Sequence, residues 1–169
     1  VTGVQTCALP ISDVPAHLIQ YAKDHPGSIL ARKWIKAGSQ DAGPWGEVFG
    51  RYGAEAVTAY AIARYIDGIA QKGKAVYGDL FMYMNVWMDG CSRGRGTNLA
   101  GIDWPSGGAI IGNLDIYYAT CVALDAISPD NYKLDLQRHK EVTDAYAHPE
   151  IGFPLYVPES SSANMNAGQ

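Results

Sequence analysis

The sequence predicts an α/β protein with a parallel sheet, and three observations lead to this fold class. Helix-like and strand-like segments alternate strictly from residue 54 to residue 158, as in βα units around a parallel sheet. No glycine-rich turn of the dinucleotide-binding or P-loop type joins a strand to a helix. Polar or aromatic residues follow each predicted strand. The alternation alone leaves a doubly wound sheet and a (β/α)8 barrel open. The other two observations favour the barrel, because barrel enzymes build their sites from strand ends.

The helices follow from the spacing of apolar residues. They are predicted at residues 15–36, as two short helices, and at residues 54–72, 110–122 and 134–147. The His-Pro-Gly sequence at 25–27 separates the first two, since proline cannot continue a helix. The helix at 54–72 is the clearest, and Gly73 is its predicted end. Its expected apolar face comprises Val57, Ala61, Ile62, Tyr65, Ile66 and Ile69.

The strands follow from short apolar runs between these helices. They are predicted at residues 79–88, 125–132 and 153–158. The first run is almost continuously apolar and aromatic, which is typical of a parallel strand buried on both faces. A loop at 38–53 connects the early helices to the helix at 54–72. We expect three apolar residues, Trp45, Val48 and Phe49, to anchor this loop on the body of the protein.

Composition excludes several classes of partner. The chain has 169 residues, 47% of them hydrophobic, and a net charge of -4 from 13 basic and 17 acidic residues. The charges form no basic stripe, so neither nucleic acid nor an anionic membrane is an expected partner. No apolar run approaches the roughly 20 residues that span a bilayer. The four histidines, and Cys91 and Cys121, share no metal-ligand spacing, so we expect no metal and no cofactor.

The two ends of the chain have an unusual composition. Residues 1–11 resemble the translation of a short-read sequencing adapter, and we therefore expect them not to be native sequence. Residues 12–169 then form one domain, which we expect to be a fragment of a longer protein. The last residues, from 159 onward, turn abruptly to small polar side chains after an apolar run.

Candidate functional residues lie at the predicted strand ends. Glu159 follows the third strand, and Asp130 and Tyr132 end the second. Each has an ordinary structural alternative: Glu159 could form a salt bridge or a cap, and Pro-Asp-Asn is common turn chemistry. A tyrosine beside a carboxylate could also hold that carboxylate ionised and aimed. Among nucleophilic mechanisms, carboxylate glycosidase chemistry fits these residues best.

Three further residues could bind a polar ligand. Asn85 lies within the apolar first strand, where its amide must find a hydrogen-bond partner in the protein or in a ligand. Trp87 and Trp104 could stack on sugar rings, although packing in the core or in a loop explains each of them equally well.

Seven short motifs resemble those of a known family in order and spacing. They lie at residues 26–34, 45–50, 60–65, 82–87, 105–108, 124–132 and 154–159. Together they resemble bacterial β-galactosidases of glycoside hydrolase family 35, in clan A, particularly the branch with an extra C-terminal domain of unknown function. The likeness extends from about residue 14 to the end of the chain.

The resemblance implies a fold and a mechanism. It implies a (β/α)8 barrel, of which this chain would hold strands five to seven, and retaining hydrolysis by two glutamates. Glu159 matches the nucleophile at the end of strand seven. The acid/base glutamate of the family lies in an Asn-Glu pair on strand four, and this chain contains no Asn-Glu pair. At Asn131 the family more often has an apolar residue.

Two functional hypotheses follow. In the first, the chain is part of a retaining glycosidase that acts on terminal β-galactosides, with a carbohydrate substrate and with the missing remainder of its own barrel as partner. On its own it would be inactive, since it lacks the acid/base. In the second, the chain belongs to a non-catalytic carbohydrate-binding protein that uses its Trp and Tyr rings. The alternation of helices and strands favours the enzyme.

Overall fold

The computed structural model describes residues 13–87, 100–132 and 135–160. Within them the protein is α/β, as the sequence predicts, with a small sheet of three parallel strands in the order β1-β2-β3. The strands are β1 (Tyr83–Val86), β2 (Ala126–Asn131) and β3 (Glu159–Ser160). The helices are α1 (Ala16–Asp24), α2 (Ile29–Lys36), α3 (Trp45–Val48), α4 (Gly53–Val76), α5 (Leu114–Thr120) and α6 (Leu136–Tyr146). Short 3-10 turns lie at Gly50–Tyr52, Ile111–Asn113 and Pro149–Ile151.

The predicted helices are present, and local chemistry explains where two of them begin. Ser28 caps α2, because its hydroxyl accepts a hydrogen bond from the Ala31 amide at 3.0 Å. Asp135 caps α6 in the same way, accepting from the Arg138 amide at 2.9 Å. The predicted split of residues 15–36 into two helices is confirmed. None of the helices in the described ranges is long and apolar enough to cross a membrane.

The face on which α4 packs is only partly the predicted one, since Val57, Ile62 and Ile66 are half-buried against the core. Its buried side is a stripe of small residues around one carboxylate: Ala56, Ala59, Ala63, Asp67 and Ala70. Tyr65, predicted to face the core, is 71% exposed, and Ile69 is 47% exposed. Small side chains let the loop before α5 approach the helix closely, which the bulky face could not do. The predicted end at Gly73 is also wrong, since α4 continues to Val76.

The sheet is shorter and more open than the sequence predicts. Strand β1 pairs with β2 from Tyr83 opposite Ala126 to Val86 opposite Pro129. Only Val86 of β1 is buried, so the prediction of a strand buried on both faces is wrong. The reason is that β1 is an edge strand of the described sheet. Residue 88, at the end of the predicted strand, lies outside the described residues.

The third predicted strand is displaced toward the C-terminus. Residues 153–158 form no ladder, and pairing with β2 begins only at Glu159, opposite Asp130. Pro154 and Pro158 have no backbone N–H to donate to a ladder, which disfavours pairing over this stretch. The second predicted strand, in contrast, is present as β2.

The C-terminal end of α4 is fastened at the beginning of the sheet. The Lys74 ammonium lies 2.7 Å from Oδ1 of Asp125, the residue before β2. Oδ2 of Asp125 accepts a hydrogen bond from the Met82 amide at 2.7 Å, just before β1. These contacts align the first two strands at their amino ends. At the other end of the helix, the predicted anchors Trp45, Val48 and Phe49 are all buried in the core.

Candidate functional site

Four polar side chains meet at the carboxyl ends of the three strands. Asn85 comes from β1, Asp130 from β2, Tyr132 from just beyond β2, and Glu159 from β3. Parallel register places Asp130 opposite Glu159, and the two-residue repeat of a strand directs Asp130 and Tyr132 toward the same side. We call these four residues the strand-end cluster.

Glu159 is held by Tyr132. The Tyr132 hydroxyl donates a hydrogen bond to Oε2 of Glu159 at 2.6 Å, the length typical of a hydroxyl bound to a carboxylate. Both side chains are exposed. The sequence predicts that Tyr132 could orient a carboxylate, with Asp130 as the nearest candidate. In the structure, the carboxylate that binds the Tyr132 hydroxyl is that of Glu159. The bond fixes one carboxylate oxygen of Glu159 and orients the other.

Asp130 lies in a more enclosed position than Glu159. Oδ2 of Asp130 accepts a long hydrogen bond of 3.3 Å from the Asn85 amide nitrogen. Oδ1 is buried and has no hydrogen-bond partner within the described residues. Burial, and then the negative charge of Glu159, raise the pKa of Asp130 above its usual range, while the bond from Asn85 opposes this shift. Asp130 therefore takes up a proton at higher pH than an ordinary aspartate.

Ser128 adjoins the strand-end cluster, and the sequence analysis did not identify it. It lies opposite Asn85 in the ladder, two residues before Asp130, and so points to the same side of β2. Ser128 is completely buried, and its hydroxyl has no partner in the described parts of the chain. The alternation of Ser128, Asp130 and Tyr132 was the available signal. It was obscured because Ser-Pro-Asp also fits a turn.

The two predicted tryptophans lie in different surroundings. Trp87 directly follows β1, is 57% exposed, and shares the Asn85 side of the strand by alternation. Trp104 contacts the helical layer: its indole N–H donates to Oε1 of Glu55 in the first turn of α4, at 3.4 Å. We therefore associate Trp87 with the strand-end cluster and leave Trp104 outside it.

Glu55 is the anchor of the loop that precedes α5, and sequence reasoning missed it. Besides Trp104, its carboxylate accepts hydrogen bonds from Ser106 (2.8 Å), the Gly107 amide (2.8 Å) and Asn113 (3.0 Å). Burial alone would raise the pKa of Glu55, but the bonds from Gly107, Ser106, Asn113 and Trp104 outweigh it and lower that pKa. All four donors come from the protein, so this arrangement fastens a loop.

The thiol and imidazole groups of the described residues form no cluster with metal-ligand geometry. Within the ranges that the structure describes, no group of three or more His, Cys, Asp or Glu residues is arranged to hold a metal ion. Cys121 is buried, with its thiol 3.6 Å from the Ala63 carbonyl, and burial raises its pKa to about 12. Cys91, the other cysteine considered above, lies outside the described residues.

Two comparisons with known proteins found no relative of this chain. The chain matches no protein-family model, and a search of curated proteins finds no match for it. The strand-end cluster, with Tyr132 on Glu159 and with Asp130 beside them, is therefore the basis on which a function can be assigned.

Proposed function

We propose that this chain is the part of a retaining glycoside hydrolase barrel that carries the nucleophile, Glu159, and that the complete enzyme acts on terminal β-galactosides. The observation that supports this most is the 2.6 Å hydrogen bond from Tyr132 to Glu159 at the carboxyl ends of parallel strands. That end of a parallel α/β sheet is where barrel enzymes hold their reacting groups. The sugar assignment rests on the resemblance of the seven motifs to family 35.

In this proposal Tyr132 orients Glu159 for attack. Its hydroxyl binds Oε2, so Oε1 is the oxygen that attacks the anomeric carbon of the sugar. The bond from that carbon to the leaving oxygen breaks as the glycosyl ester of Glu159 forms, and water later hydrolyses the ester. A carboxylate fixed in one rotamer needs less ordering at the moment of attack.

Asp130 would contact a sugar hydroxyl rather than react. Its buried Oδ1 lacks a partner among the described residues, and a bound hydroxyl group would supply one. Asn85 holds the other oxygen. A buried acceptor that gains a hydrogen bond only when substrate binds favours that substrate over analogues without the hydroxyl.

The second carboxyl group of the mechanism would come from outside this chain. Retaining hydrolysis needs two carboxyl groups about 5 to 5.5 Å apart, one to attack and one to protonate the leaving oxygen. Asp130 lies next to Glu159 at the same end of the sheet and is already hydrogen-bonded to Asn85, so we do not assign it the role of the acid. In our proposal the acid/base belongs to strand four of the same barrel.

An exposed aromatic group supports the view that further strands complete the sheet. The Tyr83 and Tyr156 rings meet edge to face, with centroids 4.9 Å apart, and the Phe81 ring lies 6.3 Å from each. All three are exposed, although such rings are usually covered. Large side chains fill the interior of a (β/α)8 barrel, so we propose that these residues face that interior in the complete protein.

The carbohydrate-binding alternative has one observation in its favour. Trp87 and Tyr132 are 57% and 45% exposed beside the strand-end cluster, and exposed rings of this kind stack on sugars. A binding protein, however, has no need of a carboxylate aimed by a tyrosine. The two hypotheses differ in whether Glu159 is required for turnover.

The test joins this chain to strands one to four and to strand eight of a family 35 barrel, so that all eight strands are present, and measures release of nitrophenol from a nitrophenyl β-galactoside. We expect the joined protein to turn over, the 169-residue chain alone to be inactive, and Glu159→Gln to abolish turnover in the joined protein. Glu47→Gln, the same substitution at an exposed side chain of α3, is the control and should keep the activity. Full activity of Glu159→Gln would disprove the assignment of the nucleophile.

A further inference from the structure

A cavity lined by residues that are far in sequence from the strand-end cluster has the chemistry of an anion site. It has a volume of about 310 Å³ and lies between the end of α2 and the 3-10 turn at Gly50–Tyr52. Among the described residues, three cationic side chains line it, Lys33, Lys36 and Arg51, and no carboxylate does. The chain as a whole is acidic, so this local excess of positive charge runs against the average.

Lys33 forms the inner wall of the cavity and is held in place. Its ammonium donates a hydrogen bond to the Gly112 carbonyl at 2.9 Å and lies 3.3 Å from the centre of the Tyr52 ring. Burial lowers the pKa of Lys33 to about 8, although the charges of Asp115 and Glu55 oppose the shift. A cation held in a partly desolvated position is stabilised by an anion placed beside it.

The carboxylates near Lys33 are occupied by other groups. Oδ2 of Asp115 accepts from the Leu30 amide at 2.8 Å, and Glu55 takes the four donors of the loop before α5. Neither Lys36 nor Arg51 forms a salt bridge within the described ranges. The helix dipole stabilises basic residues at a helix C-terminus. This accounts for the position of Lys36 at the end of α2 but not for that of Arg51, which lies on another segment.

The rest of the cavity wall is apolar. Phe49 is 3% exposed, and its ring stands edge to face against Tyr52 with centroids 6.1 Å apart. Ala37 contributes a methyl group opposite Gly50. The volume lies at the small end of ligand sites, which are about 300 to 1,000 Å³. The apolar surface at Tyr52 and Ala37, with Lys33 on the inner wall and the exposed Lys36 and Arg51 beside it, suits a ring that carries an oxyanion.

We propose that this cavity binds a small organic anion, namely an oxyanion carried on an apolar ring, with the oxyanion at Lys33, Lys36 and Arg51 and the ring against Tyr52 and Ala37. The shared chemistry is the oxyanion, which a carboxylate or a phosphate monoester supplies. This site uses none of the residues of the strand-end cluster, so it stands whether or not the glycosidase proposal holds.

The test is calorimetric titration of the folded 169-residue chain with phenyl phosphate and with benzoate at pH 7 and low salt. Benzyl alcohol and inorganic phosphate serve as probes that have only the ring or only the anion. We expect one site per chain and binding of at least one ring-bearing anion at least tenfold tighter than either partial probe. Which of the two anions binds more tightly identifies the oxyanion.

Two variants decide whether the cavity is the site. Lys36→Met and Arg51→Met should each weaken binding at least fivefold, because both side chains are exposed and can be changed without loss of a buried contact. Lys72→Met, an exposed lysine on α4, is the matched control and should bind as the parent does. Absence of binding by both ring-bearing anions, equal binding of benzyl alcohol, or unchanged binding in both cavity variants would overturn the proposal.

Discussion

Replacement of Gly107 by alanine tests how the loop before α5 docks on α4. Gly107 has φ of +74°, and a Cβ built on it would lie 2.6 Å from Cγ2 of Thr58, 2.7 Å from the Thr58 carbonyl carbon and 2.8 Å from the Ala59 amide nitrogen. Two of these three atoms belong to the α4 backbone, which cannot move aside as a side chain can. The methyl group therefore has to push the loop away from the helix.

The expected loss follows from two costs. A non-glycine residue in the left-handed region costs about 1 to 2 kcal/mol, and inserting a methyl group into a packed contact costs about 1 to 3 kcal/mol. Gly107→Ala should therefore lower the free energy of unfolding by about 2 to 5 kcal/mol. With a urea m-value of about 2 kcal/mol/M, the smallest of these losses moves the unfolding midpoint down by about 1 M.

Gly101→Ala separates the two costs. Gly101 has φ of +79°, but among the described residues no atom beyond its chain neighbours lies within 4 Å of its added Cβ. This control should lose only about 1 to 2 kcal/mol, the backbone cost alone. The measurement is urea unfolding of the parent and both variants, followed by far-UV circular dichroism. A Gly107→Ala variant no less stable than Gly101→Ala would show that the loop does not pack on α4 in this way.

Two further predictions concern ionisable groups. The folded state lowers the pKa of Glu55, so as the pH falls Glu55 is protonated in the unfolded chain before it is protonated in the folded one. The contribution of ionised Glu55 to folding stability is therefore complete above the unfolded pKa of about 4.3 and is lost at lower pH. Glu55→Gln should be less stable than the parent at pH 7, and the gap in urea midpoints should narrow from pH 5 to pH 3; a gap that does not change with pH would contradict this. In a variant that carries Cys7→Ser and Cys91→Ser, Cys121 should react with a thiol reagent at pH 8 only after unfolding, because burial raises its pKa to about 12. Labelling of the folded chain at the rate of a free thiol would contradict this prediction.

The sequence predicts the helices well because their signals are local. The break at 25–27, the spacing of apolar residues and the caps lie within a few positions of each helix. The side of α4 that faces the core could not be predicted in the same way. Hydrophobicity favours the face with Tyr65 and Ile69, whereas the structure buries Ala56, Ala59 and Ala63 because the neighbouring loop approaches closely. Close approach of backbones is a tertiary property, which hydrophobic periodicity does not contain.

The sequence predicts that Asn85, Tyr132 and Glu159 meet at one end of the sheet, but it does not predict the hydrogen bonds among the strand-end residues. Asn85, Asp130, Tyr132 and Glu159 follow from the rule that parallel strands present polar groups at their carboxyl ends. The bond from Tyr132 to Glu159 depends on the register of β2 and β3. The pairing of these strands begins at Glu159, six residues later than the start of the apolar run at 153–158. Ser128 and Glu55 were missed because their partners lie on distant segments or are absent from the described residues.

Covalent trapping tests the central claim most directly. The chain joined to strands one to four and to strand eight of a family 35 barrel is incubated with a dinitrophenyl 2-deoxy-2-fluoro-β-galactoside, digested, and analysed by peptide mass spectrometry. The fluorine slows hydrolysis of the glycosyl ester, so the intermediate accumulates on the nucleophile. We predict one fluorogalactosyl group per protein, attached to Glu159, and no label in Glu159→Gln. A label on Asp130, or a label retained in Glu159→Gln, would contradict the assignment of Glu159 as the nucleophile.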